Sequence, residues 1–139
     1  MGQRRTSVFK TLIVEDNVTF RQSLKATLNA VFPSMDIEEA ADGTEALEKV
    51  NTFSPNLVFI DIKLPGINGL ELTKKIKGDC AGIVIIILTS YDLPEYRAAA
   101  AEFGADHFVP KGSSSREELL KLVQSVLSDW KRSGGRIPI

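Results

Sequence analysis

The chain has 139 residues, 43% of them hydrophobic and 25% charged, and 17 Lys and Arg against 18 Asp and Glu leave a formal net charge of −1. That length and balance imply one soluble globular domain with a sizeable core, and they exclude a disordered chain and any bulk electrostatic attraction for nucleic acid. A single cysteine, Cys80, excludes an intrachain disulfide, and the longest apolar run, 83–88, is far too short to span a bilayer.

Arg4 and Arg5 are followed by a Lys-interrupted apolar stretch without a signal-peptide cleavage pattern, so a cytoplasmic protein is expected. Residues 8–14 form an apolar run that ends at Glu15, Asp16 and Asn17, residues that stop strands and cap helices. Asp16 or Asn17 is expected to cap a first helix, in which Phe20, Leu24, Leu28 and Val31 recur at helical spacing until Pro33. Residues 37–41 read as a weak second strand closed by Asp42 and Gly43, and a helix with Ala46, Leu47 and Val50 on one face ends before Pro55. The run 57–60 stops at Asp61, and the loop 63–69 holds Pro65, Gly66 and Gly69. Leu72 and Ile76 share one face of the next helix.

The run 83–88 is the strongest strand, six apolar residues of which five are β-branched, and it stops at Thr89 and Ser90. Pro94 suits the first turn of a helix continued by 98–101 and closed by Gly104. Residues 107–109 form a short strand before Pro110, Lys111 and Gly112. Ser115 and Glu118 form a capping-box pattern, followed at helical spacing by Leu119, Leu122, Val123, Val126, Leu127 and Trp130. Ser133, Gly134 and Gly135 look like a frayed tail. Five strands thus alternate with five helices. The continuous apolar character of the first, third and fourth strands implies a doubly wound α/β fold on a parallel sheet.

In an open parallel sheet, ligands bind beyond the carboxyl ends of the strands. Those ends carry Glu15 and Asp16, then Asp61, then Thr89 and Ser90, with Lys111 two residues past the fifth. Three carboxylates brought together repel one another unless a cation joins them. Oxygen-only ligands suit Mg²⁺, and Mn²⁺ is a possible substitute. With such an ion a carboxylate can attack a phosphoryl donor to give an acyl phosphate. Lys111 would then pair with the phosphoryl oxygens, and Thr89 would donate a hydrogen bond to one of them.

The set Glu15, Asp16, Asp61, Thr89, Ser90 and Lys111 resembles the active site of response-regulator receiver domains. The segment DIKLPGINGLEL from Asp61 resembles their acceptor region, and GADHFVPKG from Gly104 resembles the region around their lysine. The likeness covers residues 9–130. It implies a flavodoxin-like (β/α)5 fold with strand order 2-1-3-4-5, a receiver domain over residues 8–130, and flexible termini at 1–7 and 131–139. It makes Asp61 the phospho-acceptor, with Asp16 binding Mg²⁺ directly, Glu15 through water, and the Lys63 carbonyl as a third protein ligand. Thr89 becomes the switch hydroxyl and Phe108 the aromatic switch residue, and Lys63 and Tyr91 fall where the family tunes the lifetime of the phosphoryl group. The implied donor is a sensor histidine kinase or a phosphotransfer protein. The implied output is an altered contact with a protein effector or with a second copy of the chain, without direct binding to nucleic acid or membrane.

Three positions depart from the family pattern. Glu15 stands where Asp is also frequent, Phe108 lacks the hydroxyl of the more usual Tyr, and Lys111 precedes Gly112 rather than proline, which excludes a cis-proline there. The Lys-Gly-Ser run is reminiscent of receivers attached to helix-turn-helix output domains. Taken singly, each residue has a plainer reading: Asp61 as a turn cap, Lys111 as a solvated lysine, Thr89 as a strand-end hydroxyl, Phe108 as core. His107 and Cys80 receive no role. A Mg²⁺-dependent phosphatase or phosphotransferase with a carboxylate nucleophile is the alternative function, although Lys63 replaces the second Asp of the Asp-x-Asp pairing one such class uses. A nucleotide-binding domain is disfavoured by the absence of a Gly-rich loop after the first strand.

Overall fold

The computed structural model describes residues 8–135. Five strands and five helices alternate: β1 (Lys10–Val14), α1 (Val18–Val31), β2 (Asp36–Ala40), α2 (Gly43–Phe53), β3 (Leu57–Ile60), α3 (Gly69–Asp79), β4 (Val84–Thr89), α4 (Pro94–Glu102), β5 (His107–Pro110) and α5 (Arg116–Arg132). All neighbouring strands pair in parallel, in the order β2-β1-β3-β4-β5. The expected doubly wound, flavodoxin-like topology is therefore the observed one.

Alternate residues of each central strand feed two separate cores, as the two-residue period of a strand requires. Val58, Ile60, Ile85 and Ile87 face the layer of α2, α3 and α4. Leu57, Phe59, Ile86 and Leu88 face α1 and α5, where Leu24 and Leu28 meet Val123 and Val126. Because both faces are covered, β3 and β4 are almost fully buried. That explains why these strands read as unbroken apolar runs.

Element ends differ from the sequence reading by a residue or two. β1 begins at Lys10 rather than Val8, where the Lys10 amide donates to Asn56 Oδ1 at 2.8 Å. Phe9 instead packs edge-on against Trp130, with ring centroids 5.1 Å apart. β4 begins at Val84, one residue after Ile83. The capping box at Ser115 and Glu118 is present, and α5 continues to Arg132, where Lys131 and Arg132 complement the negative end of the helix dipole. Part of the stretch expected to be a flexible terminus, 131–139, is therefore helical. Residues 1–7 and 136–139 lie outside the described residues.

Candidate functional site

The side chains that follow β1, β3, β4 and β5 meet at the carboxyl edge of the sheet. The register of β1 with β3 pairs Val14 with Ile60, which sets Glu15 beside Asp61. Glu15 is buried, Asp16 exposed and Asp61 buried, yet oxygens of all three lie within 4.8 Å of one another. Lys111 reaches back from the loop after β5 and joins two of them, at 2.6 Å to Glu15 Oε1 and 3.4 Å to Asp61 Oδ2. Among the described residues, Asp61 Oδ1 is buried without a hydrogen-bond partner. A buried anionic oxygen left without a donor is costly, so its presence marks a place built for a ligand.

Several local structures hold this arrangement. Asn17, rather than Asp16, caps α1, its Oδ1 accepting from the Phe20 amide at 2.9 Å. Asp16 is thereby left free of capping duty. Glu15 Oε2 accepts from the Asn17 amide at 3.0 Å, while its carbonyl accepts from Arg21 at 2.6 Å. Arg21 is itself fixed by an ion pair with Glu39 at 2.8 Å. Lys111 also stands 4.1 Å from the centre of the Phe20 ring, a cation–π contact that adds to its two ion pairs.

Asp61 is set by close backbone packing. The Gly69 amide donates to the Ile62 carbonyl at 2.8 Å and closes the base of the loop between them. A Cβ at position 69 would fall inside the contact distance of the Asp61 carbonyl oxygen, so only glycine lets the start of α3 approach the acceptor strand so closely. Asn68 caps α3 by accepting from the amides of Leu70 and Glu71.

Burial is the largest influence on Glu15 and pushes its carboxyl above the ordinary value of 4.5. The Lys111 hydrogen bond and the Asn17 amide pull it back, and the Asp61 charge pushes it up again. The site therefore carries an excess of buried negative charge that one lysine offsets only in part. Oxygen-only donors, one of them an orphaned buried carboxylate oxygen, fit a hard divalent cation such as Mg²⁺.

The remaining expected residues are arranged unequally. Thr89 is fully buried at the end of β4, and its Oγ1 accepts from the Tyr91 amide at 3.3 Å. Among the described residues it makes no bond to Asp61, whose Oδ2 faces Lys111. Phe108 is half-buried beside Ile87 in the sheet, with the Arg97 guanidinium 4.7 Å above its ring. Lys63 and Tyr91 do meet: the Lys63 ammonium stands 5.1 Å from the Tyr91 ring centre. It also bonds the Tyr96 hydroxyl at 3.2 Å. His107 is exposed, and Cys80 is half-buried among the residues between α2 and α3.

Four residues with a part in this geometry carried no sequence signal of it: Phe20, Arg21, Tyr96 and Arg97. Each sits on a helix, where an aromatic at core spacing or a surface cation looks ordinary.

The family model of the response regulator receiver domain matches residues 11–124. The response regulator MprA of Mycobacterium tuberculosis is 32% identical over 122 residues, which are 88% of this chain and 52% of that protein. The chain spans about half the length of the curated relatives it matches. A receiver domain protein (CheY-like) of Methanospirillum hungatei has 31% identity and a TM-score of 0.79, covering 91% of this chain and 99% of that one. A two-component response regulator of the LuxR family from Aurantimonas has 29% identity and the same TM-score of 0.79, over 88% of this chain and 87% of that one.

Proposed function

The chain belongs to the response regulator receiver family of two-component signalling, and on that premise we propose that it accepts a phosphoryl group on the carboxylate of Asp61 and thereby changes its contacts with other proteins. One observation carries the reading: Asp61 directly follows β3, its Oδ1 buried and unpartnered among the described residues, inside a cluster of three carboxylates and one lysine. That oxygen is the one a ligand must satisfy.

Glu15, Asp16 and Asp61 would hold Mg²⁺ or Mn²⁺, with the Lys63 carbonyl as a further oxygen by family likeness. When bound, the ion supplies positive charge that offsets repulsion between the carboxylates and an anionic phosphoryl group. An Asp61 oxygen forms a bond to phosphorus, and the bond from phosphorus to the donor nitrogen breaks. The electron pair and a proton remain with the leaving imidazole of a histidine kinase or phosphotransfer protein. Lys111 exchanges a carboxylate partner for a phosphoryl oxygen. Thr89 donates its hydroxyl to another phosphoryl oxygen while still accepting from the Tyr91 amide. This shift of Thr89 opens room for Phe108 and biases the surface of α4 and β5 between two states. Lys63 and Tyr91 act on the lifetime of the adduct.

The receiver unit is taken as residues 8–130, and its output is a protein effector or a second copy of the chain in the cytoplasm. Receiver domains are signalling proteins rather than turnover enzymes, so the phosphatase reading is not favoured. No helix among the described residues is long and apolar enough to cross a membrane. The test is incubation with Mg²⁺ and a small acyl-phosphate or phosphoramidate donor, followed by intact-mass measurement. A Mg²⁺-dependent phosphate adduct on the wild type and none on Asp61→Ala is expected. A folded wild-type protein that gains no adduct, or an Asp61→Ala variant that gains one, overturns the assignment.

A further inference from the structure

The loops that leave β3 and β4 are tied together by one side chain. Lys63, two residues past Asp61, places its ammonium 5.1 Å from the Tyr91 ring centre and 5.5 Å from that of Tyr96. The Tyr96 hydroxyl accepts a hydrogen bond from the same ammonium at 3.2 Å. Tyr91 lies two residues past Thr89 and is tethered to it, its amide donating to Thr89 Oγ1. β3 and β4 are adjacent strands, with Ile60 opposite Ile87, so the Lys63 contacts span the gap between the two strand ends that carry Asp61 and Thr89.

The three residues differ in how firmly they are held. Lys63 and Tyr91 are exposed loop residues. Tyr96 is half-buried in the first turns of α4, its ring packed against the core beneath that helix. It is the one anchored member, and it offers both a ring face and a hydroxyl to the ammonium. The N-terminus of α4 has no side-chain cap, since Leu93 occupies the cap position. Tyr96 therefore also joins an uncapped helix start to the loop after Asp61.

We propose that Tyr96 is a positioning residue for loss of the phosphoryl group: by holding Lys63 against Tyr91 it keeps the rim between the β3 and β4 loops closed, and water attacks the Asp61 adduct only from the fraction of molecules in which this clamp is open. The inference rests on Asp61 being the acceptor. Hydrolysis breaks the bond between the Asp61 oxygen and phosphorus, with water supplying the new oxygen on phosphorus and inorganic phosphate leaving. The rate then scales with the open fraction. Removing one exposed charge-assisted hydrogen bond raises that fraction about three- to five-fold, and removing the aromatic contact as well raises it about ten-fold.

The experiment loads the protein with a small phosphoramidate in Mg²⁺, removes the donor, and follows the adduct by intact mass. Tyr96→Phe, which keeps the ring, is expected to lose phosphate about three-fold faster, and Tyr96→Leu, which keeps an apolar body, about ten-fold faster. In a Lys63→Met background neither change at Tyr96 alters the rate further, because their shared partner is gone. The Mg²⁺ dependence of loading and the melting temperature of Tyr96→Phe stay at wild-type values, which separates positioning from a general structural role. Unchanged loss rates in both Tyr96 variants, or the same acceleration with and without Lys63, overturn the clamp while leaving Asp61 as acceptor. A wild type that takes up no phosphate overturns the acceptor assignment and the clamp together.

Discussion

Replacing Lys111 by Met keeps most of the side-chain volume and removes a cation shared by Glu15 and Asp61. Breaking a buried ion pair from one side costs several kcal/mol, because the surviving charge stays desolvated. Here the mouth of the site is partly open, with Asp16 exposed beside it, so the cost at pH 7 is expected to be about 2–3 kcal/mol. For a chain of this length that corresponds to a fall in Tm of about 8 °C.

The loss has a pH signature. Burial already holds the Glu15 carboxyl above 4.5, and the Lys111 contacts are among the effects that restrain it. Without them the carboxyl rises further. A carboxyl whose folded pKa is raised contributes most below its unfolded value, and its contribution is lost as pH rises through the folded pKa. The difference between wild type and Lys111→Met should therefore be largest near neutrality. At pH 4.5 and below it should narrow to about 1 kcal/mol. Urea unfolding followed by the fluorescence of Trp130 measures both limits. Added Mg²⁺ should shrink the difference at pH 7, since it supplies the missing positive charge to the same oxygens. A stability difference that is flat from pH 4.5 to 7.5 would refute the claim that two buried carboxylates depend on this lysine.

Four further changes probe the frame around the site. Gly69→Ala forces a Cβ into the Asp61 carbonyl and should cost about 1–3 kcal/mol in urea unfolding. It should also weaken Mg²⁺ binding measured by calorimetry, whereas Gly66→Ala, with open space around it and only a left-handed backbone to strain, should leave Mg²⁺ binding intact. Arg21→Met removes the main cause of the lowered Glu39 carboxyl, a group that stabilises the fold above 4.5 and ceases to do so as pH falls through its folded value. The variant should lose about 1 kcal/mol at pH 7 and converge on the wild type toward acid pH in the same titration. Ile86→Ala empties a fully buried position facing α1 and α5 and should cost about 2–5 kcal/mol, read as a shift in the urea midpoint with unchanged slope.

The strands were legible because burial on both faces removes polar residues from them, so β3 and β4 stood out in the sequence and their ends pointed to Asp61 and Thr89. The convergence of Glu15, Asp16, Asp61 and Lys111 followed from parallel topology alone. What the sequence did not carry was which partner each charge would choose. Lys111 lies closer to Glu15 than to Asp61 because Glu15 has the longer arm and the deeper burial. Asn17 rather than Asp16 takes the cap, a choice the composition of the turn leaves open. Phe20, Arg21, Tyr96 and Arg97 act across elements distant in sequence, and such contacts leave no local period. The start of β1 moved inward by two residues, with Val8 exposed and Phe9 packed on Trp130, and the start of β4 by one, with Ile83 buried in the core ahead of the ladder.

The tight approach of Gly69 to the Asp61 carbonyl has a consequence for how this molecule can vary. The six residues from Lys63 to Asn68 leave and return at nearly the same point, closed by the bond from the Gly69 amide to the Ile62 carbonyl. Their base is rigid and their crest, at Pro65 and Gly66, is free of such contacts on the Gly66 side. The crest can be lengthened, shortened or recoloured with new side chains while the carboxylate beneath it stays where it is. Side chains at the Pro65 and Gly66 crest are thus separable from the Asp61 carboxylate, whereas Lys63 at the start of the loop is bound to the rim of the site through Tyr91 and Tyr96.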